Sequence, residues 1–368
     1  MFYAEVARVS NPCIAFSRTK NARVENPCYS VGMLPVDSKG VLERLKEFQK
    51  IVRAQVVKSR TSASLHEVNR ATSADTIYEI DTLVEPLLEA FCEDWAKKTP
   101  LILIAEGIEG PDGREGIKTF PEGIREQDAE IRIIVDPIDG TRGIMYDKRP
   151  AWALAGVAPN LGEMTTLRDI EVAVMTELPT TKMGRADVLW ATKGHGAHGV
   201  RVDLTNGDES PLRLAPSQSS GIDHGFAMIS NFFPGTKVMA SELMEHLVSH
   251  LIGKADVTKA TVFDDQYIST GGQIYELIVG HDRFNADLRP LFYRAQKQPE
   301  GLCCHPYDCA TVLIAEEAGV IVTDGEGKPL NGPLDVTTGI SWIAYANDTL
   351  RRRIEPLVTD YLRDVGAL

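Results

Sequence analysis

Ile133-Ile134-Val135-Asp136-Pro137-Ile138-Asp139-Gly140-Thr141 is an apolar run that ends in two carboxylates and a Gly-Thr turn. The run reads as a buried strand, and Pro137, which has no backbone N–H, forbids its regular continuation. Asp136 and Asp139 are therefore delivered close together at a strand end, with backbone N–H groups in the turn behind them. Carboxylates so placed repel one another, and a hard cation that takes oxygen ligands relieves the cost. The competing reading is an Asp-Pro turn with both acids solvated.

Working outward, Leu101-Ile102-Leu103-Ile104-Ala105 is a second buried strand, and Glu106 stands at its end. Strand ends on one edge of a sheet converge, so Glu106 and Asp136 are expected to share a pocket. Glu109 is either a further acid there or a solvated loop residue. If a helix begins at Gly140-Thr141, its N-terminus presents donors to a phosphate. Arg142 then either pairs with an anionic substrate or lies on the surface. Asp308, in Pro306-Tyr307-Asp308-Cys309-Ala310, precedes an apolar helix and reads as its N-cap, as a metal ligand, or as both. Asp75 and Glu79 lie on one helical face, which is either solvated or part of a site.

Other patterns compete. Cys303-Cys304-His305 with Cys309 offers soft ligands suited to zinc, against a reading as buried or half-exposed thiols. Gly194-His195-Gly196-Ala197-His198-Gly199 reads as a glycine-rich turn between strands, and Arg351-Arg352-Arg353 as the solvated face of the last helix. Asp-x-Asp-Gly-Thr marks haloacid-dehalogenase-type phosphotransferases, but the acids at 136 and 139 are one residue too far apart for that geometry.

The chain has 368 residues, 43% hydrophobic and 25% charged, which is ordinary globular material. A net charge of −13 argues against nucleic-acid polymers and anionic membranes as partners. There is no apolar stretch of membrane-spanning length, no signal-peptide core near Met1, and no disulfide-framework spacing among the six cysteines. A cytoplasmic location follows as the expectation. Residues 1–37 read as an N-terminal arm or cap carrying two Asn-Pro-Cys segments. Val41, Leu45, Phe48 and Val52 mark one helix. A second is expected over 74–96, kinked at Pro86, and 108–130 reads as a loop or hairpin arm. Strands are expected near 151–158, 170–177 and 186–192, and helices near 237–252, 272–279, Asp308 to Gly319 and 348–364. A polar seam at 201–221 divides an N-terminal α+β half (38–200), with most ligand candidates, from a C-terminal α/β half (201–368), with Asp308 and the specificity elements. Alternating strands and helices argue for layered α/β structure.

Taken together, these segments resemble the inositol monophosphatase family of Mg²⁺-dependent, lithium-sensitive phosphatases. Asp136-Pro137-Ile138-Asp139-Gly140-Thr141 matches its first signature in full. Tyr307-Asp308-Cys309-Ala310 running to Glu317-Ala318-Gly319 is similar to the second, Trp-Asp-x-Ala-Ala before Glu-Ala-Gly-Gly. Ala105-Glu106-Gly107 stands where the family has Gly-Glu-Glu, and Thr72-Ser73-Ala74-Asp75 with Glu79 resembles its upstream Thr-x-x-Asp and Glu helix. Gly194-His195-Gly196-Ala197 matches a Gly-x-Gly-Ala turn, and Ser269-Thr270-Gly271-Gly272 a Gly-Ser helix start.

The resemblance implies an α-β-α-β-α layered sandwich of the inositol monophosphatase and fructose-1,6-bisphosphatase type. It implies two or three Mg²⁺ ions. One would be held by Glu106, Asp136 and the Ile138 carbonyl, one by Asp136, Asp139 and Asp308, and a weaker one near Asp75. Glu106 and Thr141 would orient and deprotonate the attacking water, and Gly140 and Thr141 amides would bind phosphate, with no phosphoenzyme. The implied function is hydrolysis of a small phosphorylated metabolite such as an inositol phosphate, a sugar phosphate, a 3′-phosphonucleotide or histidinol phosphate. A homodimer is suggested too. The alternative is a non-catalytic binder of a phosphorylated ligand. The chain departs from the pattern at Gly107, which replaces the second Glu, at Arg142-Gly143-Ile144, which replaces Asn-Phe, and at Tyr307, which replaces Trp. Glu300 falls one residue out of register with the family's inositol-recognising Glu.

Overall fold

Helix α1 (Ser38–Ser59) forms where Val41, Leu45, Phe48, Val52 and Val56 recur at helical spacing, and all five are buried. The computed structural model describes residues 34–59, 68–71, 76–110, 113–254, 256 and 258–368, with backbone alone for 68–71 and 76–79. The N-terminal arm expected over 1–37 therefore lies almost wholly outside the described residues. After α1, β1 (Val68–Ala71) pairs with β2 (Thr76–Tyr78). The single helix expected over 74–96 is instead β2, a short α2 (Glu79–Thr82) and α3 (Glu85–Ala96). Pro86 does not kink a helix but starts one. It sits in the first turn of α3, where a missing N–H costs no intrahelical bond.

The large sheet has eight strands: β3 (Leu101–Glu109), β4 (Glu115–Phe120), β5 (Ile131–Asp139), β6 (Ala151–Pro159), β7 (Val172–Leu178), β8 (Arg185–Thr192), β9 (Ala197–Asp203) and β10 (Glu209–Pro211). Their order is β10-β9-β8-β7-β6-β5-β3-β4. Neighbours run antiparallel except β3 and β5, which are parallel. The stretch 108–130 is thus partly the β3–β4 hairpin. Helix α4 (Thr141–Met145) follows β5 directly. The second sheet holds β11 (Gly225–Ile229), β12 (Val262–Phe263), β13 (Asp282–Asp287), β14 (Ile321–Thr323) and β15 (Trp342–Tyr345), in the order β12-β11-β13-β15-β14. The remaining helices are α5 (Lys237–Leu251), α6 (Thr270–Ile278), α7 (Arg289–Ala295), α8 (Val312–Ala318) and α9 (Asp348–Asp364).

Strand alternation separates the layers. Leu101, Leu103, Ile133, Val135 and Val174 face α1 and α3 in one apolar cluster. Ile102, Ile104, Ile134, Leu154 and Met175 face the other way, into a cluster shared with α6, α8 and the second sheet. Both faces are buried, which is why these strands read as continuous apolar runs. Beyond the second sheet, α5 packs on β11, α9 on β15, and α5 and α9 on each other. The result is helices, sheet, helices, sheet, helices, the five-layer sandwich expected from the sequence.

Candidate active site

In-register parallel pairing builds the first part of the site. Ala105 of β3 lies beside Val135 of β5, so the next residues, Glu106 and Asp136, emerge side by side at the carboxyl edge. Gly107 follows at φ +81°, in the left-handed region, where a second Glu would be strained. Pro137 does disturb β5: its register against β6 shifts between Asp136 and Asp139 before pairing resumes at Asp139 with Trp152. Gly140 turns at φ +96°, and a Cβ there would stand 3.0 Å from Ser269 Cβ and 3.2 Å from Ile268 O. Only glycine lets the start of α6 approach the two acids this closely.

Asp139 accepts hydrogen bonds from Ser269 Oγ (2.8 Å), Thr270 N (3.2 Å) and Gly271 N (2.6 Å) at that helix start. Burial raises its pKa to about 6, and these donors hold it down. Asp136 accepts from Ile138 N (3.0 Å), and Asp308 from His305 N (2.6 Å). Burial pushes both well above the ordinary carboxylate range, and the neighbouring acids, Glu106 among them, push further. Among the described residues no basic side chain hydrogen-bonds to any of the three. Asp136, Asp139 and Asp308 bring carboxylate oxygens within 4.8 Å of one another, the one such group of potential metal ligands among the described residues. Buried, mutually repelling and all-oxygen, this donor set fits a hard divalent cation.

Thr141 opens α4 beside the acids. Its Oγ lies 2.8 Å from the Ile138 carbonyl and 3.0 Å from Asp81 Oδ1, two acceptors within reach of its single proton. Glu106, Gly140, Thr141 and Arg142 all line the cleft that holds the triad. Asp75 lies outside the described residues, Glu79 is described by its backbone alone, and Glu109 is exposed at the end of β3.

Several expectations are corrected. Asp308 is not an N-cap: α8 begins at Val312, four residues later than expected, and Asp308 sits in the preceding turns with its carboxylate tied back to His305 N. The cysteines are buried free thiols, the reading weighed against zinc. Cys303 Sγ contacts Glu300 Oε1, while Cys304 Sγ and Cys309 Sγ lie 3.5 Å apart. Burial drives the Cys303 and Cys304 thiols upward, away from thiolate. Glu300 is exposed and does not line the cleft. Of the Gly194–Gly199 segment, Gly194–Gly196 form the expected turn and Ala197–Gly199 already belong to β9; Gly194 N (2.6 Å) and Gly196 N (2.7 Å) donate to Glu317, joining two of the separated motifs. Reading the sequence missed Asp81, which no local signal distinguishes from Asp75 and Glu79. It also missed Arg289, Phe232 and Phe233 in the cleft wall.

Comparison of the coordinates with solved structures decides the fold. A fructose-1,6-bisphosphatase of Leishmania major superposes with a TM-score of 0.62 over 90% of this chain and 95% of its own, at 14% identity. The chain carries the inositol monophosphatase and fructose-1,6-bisphosphatase fold. A Pyrococcus horikoshii protein described as similar to inositol-1 monophosphatase gives 0.58 at 15% identity, over 87% of this chain and 98% of its own. A Thermotoga maritima IMPase gives 0.53 at 17% identity, over 88% and 100%. No family model and no curated protein sequence matches. At 14–17% identity the likeness to these structures is one of fold. No described helix is long and apolar enough to cross a membrane.

Proposed function

We propose that this chain is a cytoplasmic, Mg²⁺-dependent phosphomonoesterase acting on a small phosphorylated metabolite. The observation that carries the proposal is the triad of Asp136, Asp139 and Asp308, gathered at a strand edge with no basic partner among the described residues and with a hydroxyl beside it. Glu106, Asp136, the Ile138 carbonyl, Asp139 and Asp308 would hold two magnesium ions, with Asp75 near a third. Bound magnesium would supply positive charge for the phosphoryl oxygens and for the entering and leaving oxygens. The rest falls to the chain. Gly140 and Thr141 offer backbone N–H groups to the phosphate, and Glu106 fixes the attacking water in line with the leaving ester oxygen. Thr141 Oγ takes a proton from that water while Asp81 accepts the hydroxyl's own, as the 3.0 Å contact permits. Water adds to phosphorus, the ester P–O bond breaks, and the leaving oxygen is protonated from solvent.

The test is phosphate release from a broad panel of small phosphomonoesters with Mg²⁺, with EDTA and with added lithium. Release that needs Mg²⁺ and falls with lithium is the expected result. Silence across the panel, with Mg²⁺ shown to bind, would replace the enzyme reading by a phospho-ligand binder.

A further inference from the structure

A second cavity shares no lining residue with the cleft and opens where β7, β8 and β9 meet Tyr275 of α6. Its volume is about 470 Å³, and Glu177, Met183, Arg185, Asp187, Arg201 and Tyr275 line it. That size suits a small metabolite. The charges around it are matched unevenly. Asp187 uses both oxygens inside the protein. Arg201 donates Nε to Oδ1 at 2.8 Å and an Nη to Oδ2 at 2.7 Å, and the Tyr275 hydroxyl donates to Oδ2 at 2.6 Å. That ion pair is closed.

Glu177 is left open. It is 7% exposed, and its Oε2 accepts from Asp187 N at 2.9 Å. Its Oε1 has no hydrogen-bond partner among the described residues and is not sealed from solvent, so it faces the cavity that Glu177 lines. A buried carboxylate oxygen without a donor is costly, and a donor brought by a ligand offsets the cost. Arg185 begins β8 at the rim, where it is exposed. It makes no hydrogen bond or ion pair among the described residues and does not reach Glu177. One acid is therefore unmatched on the floor and one base is unmatched at the rim. A simple cation would meet Arg185 on the way in, and a simple anion would meet Glu177 at the bottom. A molecule with its ammonium inward and its carboxylate outward satisfies both, with Met183 and the Tyr275 ring as apolar wall for the carbons between.

We propose that this cavity binds a small zwitterion of the amino-acid class, its ammonium on Glu177 Oε1 and its carboxylate on Arg185. The proposal does not depend on the phosphatase reading.

The experiment is calorimetric titration of the full chain at pH 8, where Glu177 is ionised. EDTA is present, so that no divalent ion bridges a probe to the strand-edge acids. The zwitterionic probes are glycine, 4-aminobutyrate, 6-aminohexanoate and phenylalanine, a series that varies the spacing of the two charges and the bulk between them. Butylamine and butyrate carry one charge each. At least one zwitterion should bind about tenfold or more tighter than either single-charge probe. Glu177→Gln keeps an acceptor for the Asp187 N–H and should weaken that zwitterion about tenfold or more. Arg185→Gln, at an exposed position, should weaken it about three- to tenfold. Should Glu177→Gln fail to fold, Arg185→Gln carries the same test. No zwitterion outbinding both single-charge probes would overturn the inference, as would variants that bind it like the wild type. Butylamine bound as tightly as every zwitterion would overturn it too, by showing a site for a plain cation.

Discussion

Helix α6 lies between two sets of buried acids that are finished in opposite ways. At its start, Thr270 and Gly271 amides reach Asp139 beside Asp136 and Asp308. Farther along, Tyr275 donates to Asp187 Oδ2 at 2.6 Å, and Arg201 clasps the same carboxylate with two bonds of 2.8 and 2.7 Å. Asp187 also donates its backbone N–H to Glu177. The second set has its cation built in. The first has strand geometry, helix amides and a hydroxyl, but no Lys or Arg bonded to it among the described residues. A chain that neutralises one buried carboxylate with its own arginine and leaves three others facing one another has left room for charge from outside. That contrast, more than the acid count, is what supports the proposed metal site at the strand edge.

The largest expected effect separates the two sets by activity. Asp136→Asn should lower Mg²⁺-dependent phosphate release by about 10³-fold or more, on the order of 4 kcal/mol in the barrier. In EDTA the same change removes a repelling charge and should raise stability by about 1 kcal/mol. Asp187→Asn should do the reverse. It leaves Arg201 without its counter-ion and, after discounting for Arg201's part exposure, costs about 2 kcal/mol. Stabilisation by Mg²⁺ should survive. Urea unfolding of both variants with EDTA and with Mg²⁺ reads all four values, and a loss of stability in EDTA for both would break the comparison. A smaller effect is expected one residue beyond the acids. Thr141→Ala should cut turnover about 10- to 100-fold while Mg²⁺ still raises the melting temperature. A matched loss of metal affinity would show that Thr141 braces the ligands and does not handle a proton.

The chemistry-bearing half of this contrast was legible in the sequence. An apolar run fixes a strand, a proline fixes where it is disturbed, and two parallel strands of like pattern bring Glu106 to Asp136. Local periodicity also placed α5 and α9 to within a residue at each end and marked the buried face of α1, because each has a single apolar face. It failed over 74–96, where acids and apolar residues keep helical spacing although the backbone opens into β2. It failed again at Asp308, where an Asp before an apolar stretch imitates a cap. The cleft wall was illegible for another reason. Arg142 and Arg289 meet on Phe233 through three separate chain segments, and no local pattern encodes such an approach. Arg201 closing on Asp187 across β8 and β9 is of the same kind.

The smallest effect tests whether the second set is as complete as it looks. Glu177 is buried in it, and burial raises its pKa from the ordinary range to about 7, against the hydrogen bond it accepts from Asp187 N. Above about pH 4.5 the unfolded chain gives up this proton, whereas the folded chain keeps it until about pH 7. The folded state therefore binds more protons across that window, and its stability falls as pH rises through it, then levels off. Glu177→Gln keeps an acceptor for the Asp187 N–H and removes the titration. The variant should match the wild type near pH 4.5 and exceed it by about 1–3 kcal/mol at pH 8. Asp136, Asp139 and Asp308 carry raised values too, so the wild type alone cannot assign the slope. Saturating Mg²⁺ separates the two sets, since it should suppress the triad's part and leave that of Glu177. A variant-minus-wild-type difference that is flat with pH, or that vanishes with Mg²⁺, would place the titrating charge at the strand edge and not beside Asp187.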